Sequence, residues 1–250
     1  MSDGPSTVGS AQSVLLIGAG GLGCPAAFAL AAAGVRDLTV VDDDVVDETN
    51  LHRQVLHGVP DVGIAKVESL AHALELRFPK VRVEPLRARF DAANALSLVL
   101  AHAVVVDGSD NFATKFVAND ACVLAGVPLV HGAAVGTGGQ LLTVPAGGQP
   151  CYRCLFEEIP PEGVGPSCAE AGVLGPVPGV IGALQGGEAA RLLTGQKPAF
   201  AGRLVQYDSL GMTIRSVRFN PNPTCAVCGA APRIHALDAA EYPDAHCTTP

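Results

Sequence analysis

"SVLLIGAGGLGCPAAFALAAAG", residues 13 to 34, is the stretch on which the fold turns. Ser13 to Ile17 form a short apolar run suited to a buried strand. Gly18, Gly20 and Gly23 then spell G-x-G-x-x-G, and an alanine-rich helical run follows directly. A glycine turn between a strand and a helix lets the backbone bend tightly and presents helix N-terminal N–H groups to phosphate. The next strand, "DLTVV", ends at Asp42, where an acid can hold ribose hydroxyls. Taken that far, a nicotinamide or flavin nucleotide satisfies the pattern.

The same alternation continues down the chain. Residues 63 to 78 carry Val67, Leu70, Ala71 and Leu74 on one helical face, and "VRVEPL" reads as a third strand. "DAANALSLVLA" is a helix and "AVVVDG" a fourth strand ending at Asp107. "NFATKFVANDACVLAG" is another helix and "PLVHGAAV" another strand. From about residue 136 the pattern changes to hairpin-like strands, "GQLLTVPAG", "GRLVQYDSL" and "TIRSVRFN", around a Gly- and Pro-rich loop, "GVLGPVPGVIG". The expected fold is an α/β, Rossmann-like doubly wound sheet, parallel in its first half and antiparallel in its second. Residues 1–12 read as a flexible tail. Residues 13–250 read as one domain, with a nucleotide-binding half to about residue 135 and a second half from about 136.

Composition bounds the partners. Hydrophobic residues make up 48% of the 250-residue chain and charged residues 16%, with no Trp, so Val, Leu, Ile and Ala must build the core. The net charge is −8 and no long basic run exists, which argues against nucleic acid. The first residues lack an apolar signal region, and "AGVLGPVPGVIGALQGG" is too short and broken to cross a bilayer. A cytoplasmic protein is the expectation, and its eight cysteines then point to metal or catalysis rather than disulfides.

Beyond Asp42 the residues pull away from a nicotinamide. Arg53 in "NLHRQ" and Lys66 in "GIAK" supply two cations, suited to a polyphosphate chain. Asp110, in "DGSDN" after the fourth strand, is placed to hold Mg²⁺. The composite ligand is ATP with Mg²⁺. Asp43 and Asp44 read as solvated charges or loop caps, and Asn111 can cap the helix that follows it. His52, His57 and His131 have no metal spacing and read as bystanders.

"CYRC" and "CAVCG" supply Cys151, Cys154, Cys225 and Cys228, two C-x₂-C knuckles that make a closed, structural Cys₄ zinc site. Such a site would clip the C-terminal region onto the domain. Cys168, in "GPSCAEAGVLGP", lacks a partner cysteine and is either a reactive loop thiol or an ordinary one. Cys24 and Cys122 fall on predicted helices and read as buried and structural.

Together these motifs resemble the bacterial E1-like activating enzymes, the ThiF/MoeB/HesA family. "GAGGLG", Asp42, "NLHRQ", "GIAK", "DGSDN", "CYRCLF", "CAEAGVLGPVPGVIG" and "CAVCG" stand in family order across about residues 13 to 230. The resemblance implies an adenylyltransferase acting on a small ubiquitin-like sulfur carrier protein that ends in Gly-Gly. It implies that the carrier's terminal carboxylate attacks the α-phosphate of ATP, and that sulfur later displaces AMP. It places Gly18, Gly20, Gly21 and Gly23 against the nucleotide and Asp42 on the ribose. Asn50, Arg53, Gln54 and Lys66 fall on the phosphate side, and Asp110 with Asn111 at the Mg²⁺. Cys168 aligns with a loop cysteine that some members join covalently to the carrier. A homodimer is implied, with the carrier on the second half of the chain. Two departures stand out. The segment before the first strand lacks the arginine that members send to a neighbouring subunit's ATP, and Lys115 replaces the more usual Arg. No rhodanese-like domain follows, so a separate sulfur donor is expected. An oxidoreductase would explain "GAGGLG" and Asp42 but leave Arg53, Lys66, Asp110 and the knuckles idle. A non-catalytic, partner-binding member would account for the missing arginine.

Overall fold

A computed structural model describes residues 12–161 and 172–243. Eight strands form one sheet in the order β3-β2-β1-β4-β5-β6-β7-β8. β1 (Ser13–Ile17), β2 (Asp37–Val41), β3 (Arg82–Leu86), β4 (Val104–Asp107) and β5 (Leu129–Val135) run parallel. β6 (Gly138–Val144), β7 (Arg203–Asp208) and β8 (Thr213–Arg218) continue the sheet antiparallel. The mixed doubly wound sheet expected from the sequence is what forms.

Two apolar layers explain the near-continuous hydrophobic strands. Val14 and Leu16 of β1 face α1 (Gly23–Ala32), α2 (Lys66–Arg77) and α5 (Pro176–Leu193). Leu15 and Ile17 face α3 (Ala95–Leu100), α4 (Phe112–Ala125) and the cysteine knuckles. Strands covered on both faces need no polar alternation. Beyond them, β8 is exposed along its length.

The Gly- and Pro-rich "GVLGPVPGVIG" run corrects the sequence reading. From Pro176 onward it is not a loop but the first turns of the 18-residue α5. Pro176 and Pro178 lie in the first turn, whose N–H groups have no intrahelical acceptor to lose. The glycines are contact points. A Cβ on Gly186 would lie 2.6 Å from the Ala26 carbonyl oxygen and 2.7 Å from the Ala29 Cβ of α1. A Cβ on Gly182 would overlap the Leu22 carbonyl oxygen. On the sheet side, Gly132 and Gly139 make room for Gln185 and Ile181 of α5. The helix therefore packs at backbone distance against α1 and the sheet at once.

Candidate functional site

Strand order reverses between β1 and β4, the crevice where open α/β sheets bind ligands at their carboxyl ends. Two glycines meet there. The Gly108 amide donates to the Ile17 carbonyl oxygen at 2.8 Å, and Gly18 sits at φ +89° with no room for a Cβ beside the Gly108 carbonyl. Gly23 opens α1, and a Cβ on it would overlap the Gly18 carbonyl. The turn thus needs its first and last glycines for closure, whereas Gly20 and Gly21 face side chains. A Cβ on Gly20 would lie 3.5 Å from the Gln54 Nε2, and one on Gly21 would lie 3.4 Å from the Arg53 Cγ.

Asp42, one residue past β2, fastens this turn. Its Oδ2 accepts from the Ala19 amide at 2.7 Å and its Oδ1 from the Asp44 amide at 2.9 Å. Burial raises the Asp42 carboxyl above its ordinary value, against the pull of the Ala19 amide and of Lys66. The chain then makes an excursion and returns. Val46 N–H donates to Ile64 O, Gly63 N–H to Val46 O and Lys66 N–H to Asp44 O, at 2.8 to 3.0 Å. That closure brings Lys66, first residue of α2, back beside the strand end that Asp42 follows.

Within the excursion, the Asn50 carbonyl accepts from both the Arg53 and Gln54 amides at 3.1 Å, turning these side chains toward the glycines. Gln54 is only 3% exposed, yet its Oε1 has no hydrogen-bond partner among the described residues. Gln54 thus offers a buried, unpaired acceptor beside the glycine turn. Arg53 has no ion-pair partner among the described residues, whereas Lys66 donates to Asp44 Oδ2 at 2.7 Å. Asp44, read from the sequence as solvated or a cap, is thus the lysine's partner.

Across the crevice, Asp107 ends β4 buried and bonded on both oxygens. Ser109 donates through its amide and hydroxyl to Oδ1, while Lys115 Nζ (3.1 Å) and His131 Nδ1 (2.7 Å) reach Oδ2. Burial alone would raise this carboxyl, but Lys115, His131 and Ser109 hold it well below the usual carboxylate range. Lys115 also donates to Gly132 O at 2.6 Å. It therefore serves the β4–β5 junction, and the charge retained in place of Arg balances Asp107. His131 is part of this buried set rather than a bystander. Asp110, in the loop that follows β4, is exposed. Asn111 caps α4, its Oδ1 accepting from the Thr114 amide at 2.8 Å.

His57 also proves to be more than a bystander. It is buried under the glycine turn, with Nε2 2.9 Å from the Ala19 carbonyl and Nδ1 2.8 Å from the Ser69 hydroxyl. Neither histidine carries a sequence signal, because each acts on backbone or buried groups that only folding brings near. Cys24 and Cys122 are buried as expected, and burial pushes the Cys24 thiol up to about 12, outside nucleophilic range.

The four knuckle sulfurs come together: Cys151–Cys154 3.9 Å, Cys151–Cys225 3.6 Å, Cys154–Cys228 3.4 Å and Cys151–Cys228 3.4 Å. A tetrahedral Zn²⁺ with Zn–S near 2.3 Å needs sulfurs roughly 3.8 Å apart, so this donor set fits a closed zinc site. Cys168 lies outside the described residues.

A doubly wound sheet with a nucleotide turn at its switch point and a Cys₄ clip defines the class. The chain belongs to the ThiF family, whose model matches residues 6–227. It is 50% identical over 216 residues to the SAMP-activating enzyme E1 of Haloferax volcanii, covering 86% of this chain and 80% of that protein. It is 45% identical over 225 residues to the sulfur carrier protein adenylyltransferase of Thermus thermophilus, covering 88% and 83%. Adenylyltransferase and sulfurtransferase MOCS3 of Bos taurus is 47% identical, and there the chain spans 50% of the longer relative. The fold is similar to that of Escherichia coli MccB with ATP, at TM-score 0.75 and 23% identity, over 89% of this chain and 68% of that one.

Proposed function

We propose that this chain adenylates the C-terminal glycine of a small ubiquitin-like sulfur carrier protein. The observation that supports the reading is the approach of Arg53 and Gln54 to the glycine turn that Asp42 fastens, with Lys66 at the start of α2 paired to Asp44, two residues past Asp42. Relatives named for activating sulfur carriers support the substrate class.

In this reading the carrier's carboxylate oxygen attacks the α-phosphorus of ATP. A C–O–P anhydride forms, the bond between the α- and β-phosphates breaks, and pyrophosphate leaves with its electron pair. No proton need move, so the protein's work is to position the reactants and balance charge. Asp42 holds the ribose, while Asn50, Arg53, Gln54 and Lys66 hold the phosphates. Asp110 would hold Mg²⁺, which supplies charge neutralisation on the phosphates. A Gly-Gly tail suits this reaction because it has no side chains to hinder a close approach of its terminal carboxylate to the α-phosphate. The adenylate then serves thiocarboxylate formation with sulfur from a separate donor protein, and the assembly is a homodimer. No helix among the described residues is long and apolar enough to cross a membrane, in keeping with catalysis in the cytoplasm.

ATP–pyrophosphate exchange with the purified chain and Gly-Gly-ending carriers tests this. Exchange should depend on the carrier and vanish in Asp110→Ala with the fold intact. ATP binding without exchange for any carrier would favour a non-catalytic, partner-binding member. Protection against thermal unfolding by NAD⁺ rather than ATP would favour the oxidoreductase reading.

A further inference from the structure

We propose that His57 is a positioning residue that locks the nucleotide turn through the Ala19 carbonyl and couples it to the helix bearing Lys66. The role rests on the nucleotide site proposed above. Ala19 lies between Gly18 and Gly20, and the peptide groups on both sides of it are held. Its N–H donates to Asp42 Oδ2 at 2.7 Å, and its carbonyl lies 2.9 Å from the His57 Nε2. A carbonyl can only accept, so Nε2 carries the proton. Burial lowers the His57 pKa, which keeps the ring neutral. Nδ1 is then the acceptor, and the Ser69 hydroxyl donates to it at 2.8 Å. Ser69 lies on α2, one turn beyond Lys66. Asp42, Ala19, His57 and Ser69 thus form one continuous chain of hydrogen bonds from the strand end that faces the ribose to the helix that starts with Lys66.

The consequence is rotational. Apart from His57, the Ala19 carbonyl accepts from the weak thiol donor of Cys24 at 3.4 Å, so without the imidazole, rotation about the Ala19 Cα–C bond can swing that carbonyl and the Gly20 amide that shares its peptide plane. With both peptide groups fixed, the orientation of the Gly20 amide is set before nucleotide arrives. Such preorganisation shows as ATP affinity and KM rather than as turnover. Sequence reading offers no hint of it, since His57 touches a backbone atom far from it in the chain.

Two isosteres separate positioning from packing. The amide nitrogen of Gln reaches the place of Nε2, whereas that of Asn matches Nδ1. Titration calorimetry with a non-hydrolysable ATP analogue and Mg²⁺ should show His57→Asn binding about tenfold more weakly than wild type, the effect of one lost buried hydrogen bond. His57→Gln should remain within about threefold. In the exchange assay the Asn variant should raise KM for ATP with little change in kcat. Ser69→Ala, which leaves the core filled, should weaken binding by about threefold through loss of the tautomer's anchor. Equal affinities in wild type, both His57 variants and Ser69→Ala would overturn the proposal. Equal weakening by Asn and Gln would also overturn it, because that is the mark of a packing defect. A wild-type chain that binds no ATP would instead overturn the nucleotide reading, and His57's role with it.

Discussion

Asp44 is the neighbour that Asp42 and Lys66 share. Its amide donates to Asp42 and its carboxylate accepts from Lys66 Nζ. The Lys66 side chain is 8% exposed and that of Asp44 69%, so water screens the acid while the lysine stays enclosed. Such a pair is weak and can be exchanged. In the proposed site, an incoming phosphate competes with the Asp44 carboxylate for Lys66. Asp44→Asn keeps an oxygen acceptor for Nζ but removes the competing charge. It is expected to lower KM for ATP by up to about fivefold, the size of an exposed ion pair. Exchange rates against ATP concentration would read this. An unchanged or raised KM would mean that Asp44 steers Lys66 rather than competing for it. Asp42, Arg53 and Lys66 were legible as a set because each follows a turn at a strand or helix boundary. Asp44 was not, because an acid beside another acid looks solvated until the excursion closes and returns Lys66 to it.

At the scale of elements, α5 shows what a glycine means in context. Read along the chain, Gly175, Gly179, Gly182, Gly186 and Gly187 lower helix propensity and suggest a loop. In the fold they divide by environment. Gly182 and Gly186 meet α1 at backbone distance, whereas a Cβ on Gly187 would touch nothing within 4 Å. The two neighbours should therefore respond in opposite directions. Gly186→Val forces α1 and α5 apart and is expected to cost about 3 kcal/mol, the upper range for overpacking. Gly187→Ala removes backbone freedom from an exposed helical position and should stabilise by about 0.5 kcal/mol or more. Thermal melting of the two variants checks the contrast, and matching shifts would refute the packing account. The strands and α1, α2 and α4 were legible from apolar runs bounded by glycines or polar turns, and α4 also from its Asn111 cap. α5 was hidden because its close contacts lie with elements distant in sequence.

For the molecule as a whole, the cysteine cluster joins segments that regular structure leaves apart. Cys151 and Cys154 follow β6, and Cys225 and Cys228 follow β8. The described residues after β8 contain only one short 3₁₀ turn, Ala239–Glu241. Side chains near the knuckles tie them to α4. Arg153 makes bidentate contact with Asp120 at 2.8 to 2.9 Å, the Tyr242 hydroxyl donates to Asp120 Oδ2 at 2.9 Å, and Tyr152 packs 4.6 Å from the His131 ring. His131 in turn holds Asp107, so the clip and the nucleotide crevice share one packed layer. Paired knuckles make the cluster legible from sequence; this path from cysteine to Asp107 is not, since it runs through a tyrosine ring and a buried imidazole. Cys225→Ser removes one of four ligands from a closed site, and zinc binding in such sites is folding energy. The variant should lose zinc and melt roughly 10 °C lower, a shift set by several kcal/mol in a chain of this size. Hydrogen exchange should quicken first in residues 219–243 and around Tyr152, with β1 and β2 retaining protection. Stoichiometric zinc together with an unchanged melting temperature would rule out the cluster as a structural metal site. Faster exchange at Ser109 and Asp110 in the same variant would show that the clip also steadies the edge proposed to hold Mg²⁺, because Ser109 and His131 both bond to Asp107.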